Sequence, residues 1–141
     1  MKQVHAELEI ETKGQGLQEI TQRIASWVSE QEIASGLLTL FIRHTSASLL
    51  IQENADPTVQ SDLLAFFKRL VPEHTGNYRH ALEGLDDMPA HIRGALTGVQ
   101  LSIPVIDRRL CLGTWQGIYI FEHRASPHRR SLALHLIGET C

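Results

Sequence analysis

From residue 99 onward the sequence is a succession of strand-like runs with almost nothing between them. The runs cover residues 99–106, 109–112, 116–122 and 131–137. Asp107-Arg108 and Gly113-Thr114 supply tight connections between the first three. Apolar and polar residues alternate clearly in Q-L-S-I-P-V-I and in L-A-L-H-L-I, where His135 takes the wet side. A chain that closes in this way is organised around a sheet, and the upstream half reads as material to pair with it or cover it. Residues 4–11, V-H-A-E-L-E-I-E, alternate at period two and predict a strand with one wet face, on which His5 lies. Gly14 and Gly16 break the chain. Leu17, Ile20, Ile24, Trp27 and Val28 then recur at three- and four-residue intervals and predict an amphipathic helix packed on the sheet. Residues 37–44, L-L-T-L-F-I-R-H, are nearly all apolar and predict a strand covered on both faces.

Asp56-Pro57 marks a helix start, with Asp56 as cap and proline at the first helical position. Val59, Leu63, Phe66, Phe67 and Leu70 are expected to carry its buried face, and it stops before Pro72. Residues 72–77 read as exposed loop, and 89–96 as a short helix whose free amides Asp86 or Asp87 would satisfy. No repeat, low-complexity segment or linker divides the chain, so the expectation is one domain over 1–141. That length buries roughly two thirds of the unfolded surface without disulfide help. The two cysteines form no framework: Cys111 reads as core filling within a strand, Cys141 as a terminal free thiol. A net charge of −3 and a pI near 6.2 argue against a general nucleic-acid binder. No apolar stretch approaches the length of a membrane span, and the first residues lack the order of a signal peptide, so no membrane association and a cytoplasmic location are expected.

Eight histidines is a high count for this length. Two of them fall in residues 78–91, Y-R-H-A-L-E-G-L-D-D-M-P-A-H, with three carboxylates around a glycine. Such a segment is poor core material and good material for a divalent cation. The alternative is a solvated loop joining two ordered halves. His80 and Glu83, three apart, would point the same way, and His91 would return to them after the bend at Gly84. His44, ending an apolar strand, is the candidate third imidazole, whereas His5, His74, His128 and His135 sit in solvent-facing settings. The metal set is therefore His44, His80 and His91, with a coordination position left open. Zinc suits imidazole best, and magnesium is the alternative through carboxylates. Glu83, Asp87 and Glu122 are the candidate catalytic carboxylates.

Two further groups are candidates for substrate binding. Thr45, Ser46 and Asn54 belong to small polar stretches flanking an apolar run, where hydroxyls and amides can meet an anion; a hairpin turn with a hydrogen-bonded histidine is the competing reading. Trp115 and Gln116 lie in L-G-T-W-Q-G, followed by Arg124, Arg129 and Arg130, whose guanidinium forks suit phosphate. A bulged turn with an aromatic plug, beside a solvated basic face, reads the same residues structurally.

H-T-S-A-S-L at 44–49, N-A-D-P at 54–57, Y-x-H-x-x-E-G at 78–84, D-D-M-P-A-H-I at 86–92 and R-R-L-C-L-G-T-W-Q-G-I at 108–118 together resemble the small YjbQ-like proteins of uncharacterised family 0047, also described as secondary thiamine-phosphate synthases. The order of motifs agrees over most of the chain. Asp107-Arg108-Arg109 departs from the Asn-Gly-like turn more usual in the family. The resemblance implies an α+β fold with a mainly antiparallel sheet, a homotrimer, and a metal pocket using His44, His80 and His91 with nearby carboxylates. It implies a transferase that joins a hydroxymethylpyrimidine pyrophosphate to a thiazole phosphate. The alternatives are a metal-loaded protein binding a phosphorylated small molecule, or a metal-dependent hydrolase with only incidental synthase activity.

Overall fold

The structure, a computed structural model, describes residues 1–73 and 76–141. The reading of His74 and Thr75 as exposed loop lies outside the described residues. In chain order the elements are β1 (Lys2–Thr12), β2 (Gly16–Glu19), α1 (Thr21–Ser29), β3 (Ile33–Ile42), β4 (Ala47–Glu53), α2 (Pro57–Leu70), α3 (Asp87–Leu96), β5 (Gln100–Ile106), β6 (Arg109–Leu110), β7 (Gln116–Glu122) and β8 (His128–Thr140). All strand pairing is antiparallel. One sheet has the order β1-β8-β3-β5-β6 and a smaller one β2-β7-β4. The fold is α+β with mainly antiparallel sheets, as the sequence motifs imply.

The core lies between the two sheets. Leu38, Leu40 and Ile42 of β3, Ile103 and Val105 of β5 and Leu132, Leu134 and Leu136 of β8 face Leu49 of β4 and Ile118 and Ile120 of β7, with Ile24 and Val28 of α1 closing one side. Each such side chain contributes roughly 1.5–3 kcal/mol on burial. β3 is not covered on both faces: Leu37 and Phe41 are exposed on the outer side of its sheet. The doubly covered strand is β7, which is buried from Gly117 to Glu122. Ile118 and Ile120 enter the core, while Tyr119 and Phe121 point to the helical side, where Gln60 donates to the Tyr119 hydroxyl (3.1 Å) and Phe121 meets Phe67 edge-on.

Two expectations shift for local reasons. Leu17 and Ile20 do not begin a helix; Gly16–Glu19 pairs with β7 and the helix starts at Thr21. Cys111 lies outside the strands and is exposed. The start of α2 follows the sequence reading, since the Asp56 carboxylate accepts from Thr58 N–H (2.9 Å), but its expected buried face does not form: Val59, Leu63 and Phe67 are only half-buried, and Phe66 and Leu70 are exposed. Asp107 and Arg108 take φ of 50° and 63° between β5 and β6, the left-handed pair of a type I′ hairpin turn without the usual glycine. Among the described residues no helix is long and apolar enough to cross a membrane.

Candidate functional site

The segment 78–91 folds back on the start of α3, so that His80, Asp87 and His91 each bring one ligand atom to a point where all lie within 4.8 Å of one another. Asp87 and His91 are one helical turn apart on α3 and share a face. Asp87 is 2 % exposed, whereas the side chains of His80 and His91 are 47 % and 33 % exposed. The cluster is thus a buried carboxylate with two imidazoles on its solvent side. His80 Nε2 lies 2.6 Å and His91 Nε2 3.2 Å from the same oxygen, Asp87 Oδ2.

Close approach of α3 to the β3–β4 connection positions His91. A side chain at Gly94 would bring its Cβ within 3.1 Å of Thr45 O, so a small residue lets the helix sit against that carbonyl. His91 Nδ1 is 3.2 Å from Thr45 O. A carbonyl only accepts, so Nδ1 carries the proton and donates. In the neutral ring Nε2 then presents a lone pair to Asp87 Oδ2, which is itself an acceptor. Two acceptors facing each other at 3.2 Å repel unless a proton or a cation lies between them.

Arg124 holds the carboxylates from the other side. Its Nη1 donates to Asp87 Oδ1 (2.8 Å), its Nε to Asp86 Oδ2 (2.8 Å) and its Nη2 to the carbonyl of Glu83 (3.0 Å). Ala125 N–H also donates to Asp86 Oδ2 (2.9 Å). The expected capping of α3 by Asp86 or Asp87 side chains does not form, because both carboxylates turn toward Arg124 and Ala125. Burial would raise the pKa of Asp87; the hydrogen bond from His80 and the charges of His91 and Arg124 outweigh it and hold the carboxyl below its ordinary range. Asp86 is likewise lowered, burial being outweighed by Arg124 and Ala125.

The other predicted residues divide by position. Glu83 has an exposed side chain and contributes its carbonyl to Arg124, not a carboxylate to the cluster. His44 stays out of the group because its ring nitrogen is already used: Ser131 N–H donates to His44 Nε2 (2.7 Å). Burial, with the charge of Arg130, lowers the His44 pKa, in keeping with a neutral ring. Glu122 and Arg130 form a buried ion pair, 1 % and 3 % exposed, in which Arg130 Nε donates to Glu122 Oε2 (2.7 Å) and Nη2 to Oε1. Arg130 also donates to the carbonyl of buried Ser46 (3.1 Å). Asn54, Trp115 and Gln116 sit at the opposite end of β7: Asn54 N–H donates to Trp115 O, and the Gln116 side chain accepts from Gly113 N–H to close its turn. Gln116 and Glu122 are the first and last of the seven residues of β7, about 20 Å apart. Thr45 is exposed and acts through its carbonyl.

Sequence reasoning passed over Ser48, Arg93 and His123. His123 is fully buried beside Phe121, with Nε2 2.8 Å from Ser48 Oγ. Thr97 Oγ1 donates to Arg93 O (2.8 Å), so the short Ser48–Thr97 contact takes the Ser48 proton, and Ser48 receives the His123 Nε2 proton. His123 Nδ1 is left a buried acceptor without a partner among the described residues. Burial, aided by the charge of Arg93, pushes the His123 pKa down to about 3. Extending the helical-side alternation of Tyr119 and Phe121 by one step would have found it.

These features define an α+β protein of two antiparallel sheets with a His-Asp-His cluster beside helix α3. Residues 6–139 match the model of the family described as UPF0047 protein YjbQ-like. A UPF0047 protein of Synechocystis sp. is 53% identical over 132 residues, covering 94% of this chain and 90% of its own. The YjbQ protein of Escherichia coli O157:H7 is 43% identical, covering 94% and 96%. A conserved hypothetical protein of Thermus thermophilus superposes with a TM-score of 0.83 at 36% identity, covering 94% and 99%. The chain belongs to the UPF0047, YjbQ-like family. That finding corrects the expected activity: the family and these relatives are described without any function, and a related Sulfolobus solfataricus structure is described as a protein of unknown function. The assignment to thiamine-phosphate synthesis, implied by resemblance alone, is withdrawn.

Proposed function

We propose that this protein binds a divalent cation at His80, Asp87 and His91 and presents it to a phosphorylated small molecule. The observation that carries the reading is the convergence of His80, His91 and the buried Asp87 carboxylate, whose ligand atoms lie within 4.8 Å of one another, with the Thr45 carbonyl holding His91 on one side and Arg124 holding Asp87 on the other. Two imidazoles and a carboxylate suit zinc before magnesium. A cation bound there supplies Lewis acidity toward a phosphoryl oxygen, which makes an enzymatic role the natural extension. The chain's own contribution is orientation: Thr45 fixes the His91 tautomer, and Arg124 keeps Asp87 ionised and in place. The exposed Leu37, Phe41 and Ile106 on the outer face of the larger sheet support self-association, for which we propose the homotrimer; light scattering that returned a monomer would refute it.

The test is metal content and affinity of protein purified without an affinity tag. One zinc per chain is expected by elemental analysis, with His80→Ala and His91→Ala each weakening calorimetric affinity by about a hundredfold or more. Undiminished stoichiometric binding by the folded double variant overturns the reading.

A further inference from the structure

Arg93 is 3 % exposed and points away from the metal cluster, toward a cleft of about 370 Å³ between α2 and α3 whose other walls are Gln15, Lys68, Pro72 and Glu73. A smaller cavity lined by Arg93, Lys68, Phe67, Phe121 and Glu122, whose carboxylate is taken by Arg130, lies alongside. Among the described residues the guanidinium makes one hydrogen bond, from Nη2 to Val71 O (2.9 Å). Its Nε is buried and has no hydrogen-bond partner among the described residues. A guanidinium carries five N–H donors, and no carboxylate lies within ion-pair distance of this one among the described residues.

The negative potential that reaches it comes from Glu73, Tyr78 and Asp86, none of which hydrogen-bonds the guanidinium among the described residues. Glu73 accepts from the Gln15 amide (2.8 Å), and Asp86 is held by Arg124 and Ala125. The contrast with Arg130, equally buried but forked onto Glu122, shows what a completed buried arginine looks like in this same molecule. A buried cation left so incomplete is the geometry of a site awaiting an anion. Lys68, at the end of α2, adds a second charge on a flexible stem at the solvent side of the cleft.

We propose that this cleft binds an oxyanion, the phosphate or carboxylate group of a small molecule, with Arg93 as its buried anchor and Lys68 as its outer clamp. The site uses none of the metal-binding side chains and stands whether or not the metal reading does.

The experiment uses the full chain in EDTA, titrated with inorganic phosphate and separately with acetate, and read by calorimetry and by the Arg93 Nε–H resonance. Saturable binding is expected, with a downfield shift of that resonance; the tighter of the two ions identifies the group. Lys68→Gln, an exposed change, should weaken binding roughly tenfold, and Arg93→Gln should abolish it. The His80→Ala, His91→Ala double variant should bind as the wild type does. If Arg93→Gln fails to fold, Lys68→Gln and the Nε–H shift decide. Absence of saturable binding, binding that leaves the Nε–H resonance and Lys68→Gln unaffected, or loss of binding in the histidine variant overturns the proposal.

Discussion

Glu122 and Asp87 are both carboxylates of 1–2 % exposure, and each receives an arginine. What surrounds the remaining lone pairs separates them. Glu122 accepts from Arg130 on both oxygens, from the Thr12 hydroxyl (2.6 Å) and from Arg124 N–H (3.1 Å), all donors drawn from the strands and turns that enclose it. Asp87 accepts from Arg124 on one oxygen and turns the other to two half-exposed imidazoles. A carboxylate saturated by rigid donors joins sheets together; one completed by histidines on the solvent side has room for a different partner. Burial alone therefore does not distinguish structure from function here, but the identity of the donors does.

The largest effect expected from breaking this contrast is at Glu122. Glu122→Ala leaves Arg130 buried and unpaired and should cost about 3–5 kcal/mol in urea unfolding, while metal binding per folded molecule stays the same. A loss of under about 1 kcal/mol would show that Arg130 finds another partner and that the pair does not join the sheets.

Next comes acid stability, read beside that pair. His123 has a folded pKa of about 3 against an ordinary 6.5, so between those values the unfolded chain takes up a proton that the folded chain refuses. Its contribution is complete above pH 6.5 and declines as the pH falls toward 3, by on the order of a few kcal/mol. Glu122, held below its ordinary 4.5 because the Arg130 and Thr12 hydrogen bonds outweigh burial, adds a loss only at lower pH. His123→Gln should flatten the upper part of the stability profile measured by urea unfolding. An unchanged slope between pH 6.5 and 4.5 would mean that His123 opens to solvent.

How much of this was readable beforehand follows from what each signal depends on. Alternation in β1, β5 and β8 and the Asp56-Pro57 start of α2 are local, and they appear as expected. The three- and four-residue spacing of Leu17, Ile20 and Ile24 suits one helix, and only the pairing of 16–19 with β7 puts Leu17 in a strand and starts the helix at Thr21. His80 and His91 were visible as an imidazole pair in a segment too polar for a core. That Asp87 meets them, and that His44 spends its nitrogen on Ser131 N–H, depends on a strand and a helix far apart in sequence. Trp115 and Gln116 group with Arg124 in the sequence as one substrate-binding stretch, yet they lie at opposite ends of β7.

Arg124 sharpens the contrast from the other direction. Arg124→Gln removes the donor to Asp87 Oδ1 while leaving both imidazoles, so zinc affinity should fall roughly tenfold and not vanish. Titration with a competing chelator measures it; an affinity equal to wild type would mean that helix α3 alone orients Asp87.

The smallest effect is expected at His44, which decides whether the cluster has two imidazoles or three. Glutamine can still accept from Ser131 N–H through its side-chain oxygen, so His44→Gln should change stability by under about 1 kcal/mol and zinc affinity not at all. The ring is half-buried, and its Nε2 lone pair is directed into the backbone of β8, away from any role at Asp87. A hundredfold loss of zinc affinity, matching that expected for His91→Ala, would require the Ser131 hydrogen bond to give way when the cation arrives. It would also add a third imidazole to the site, from the end of β3.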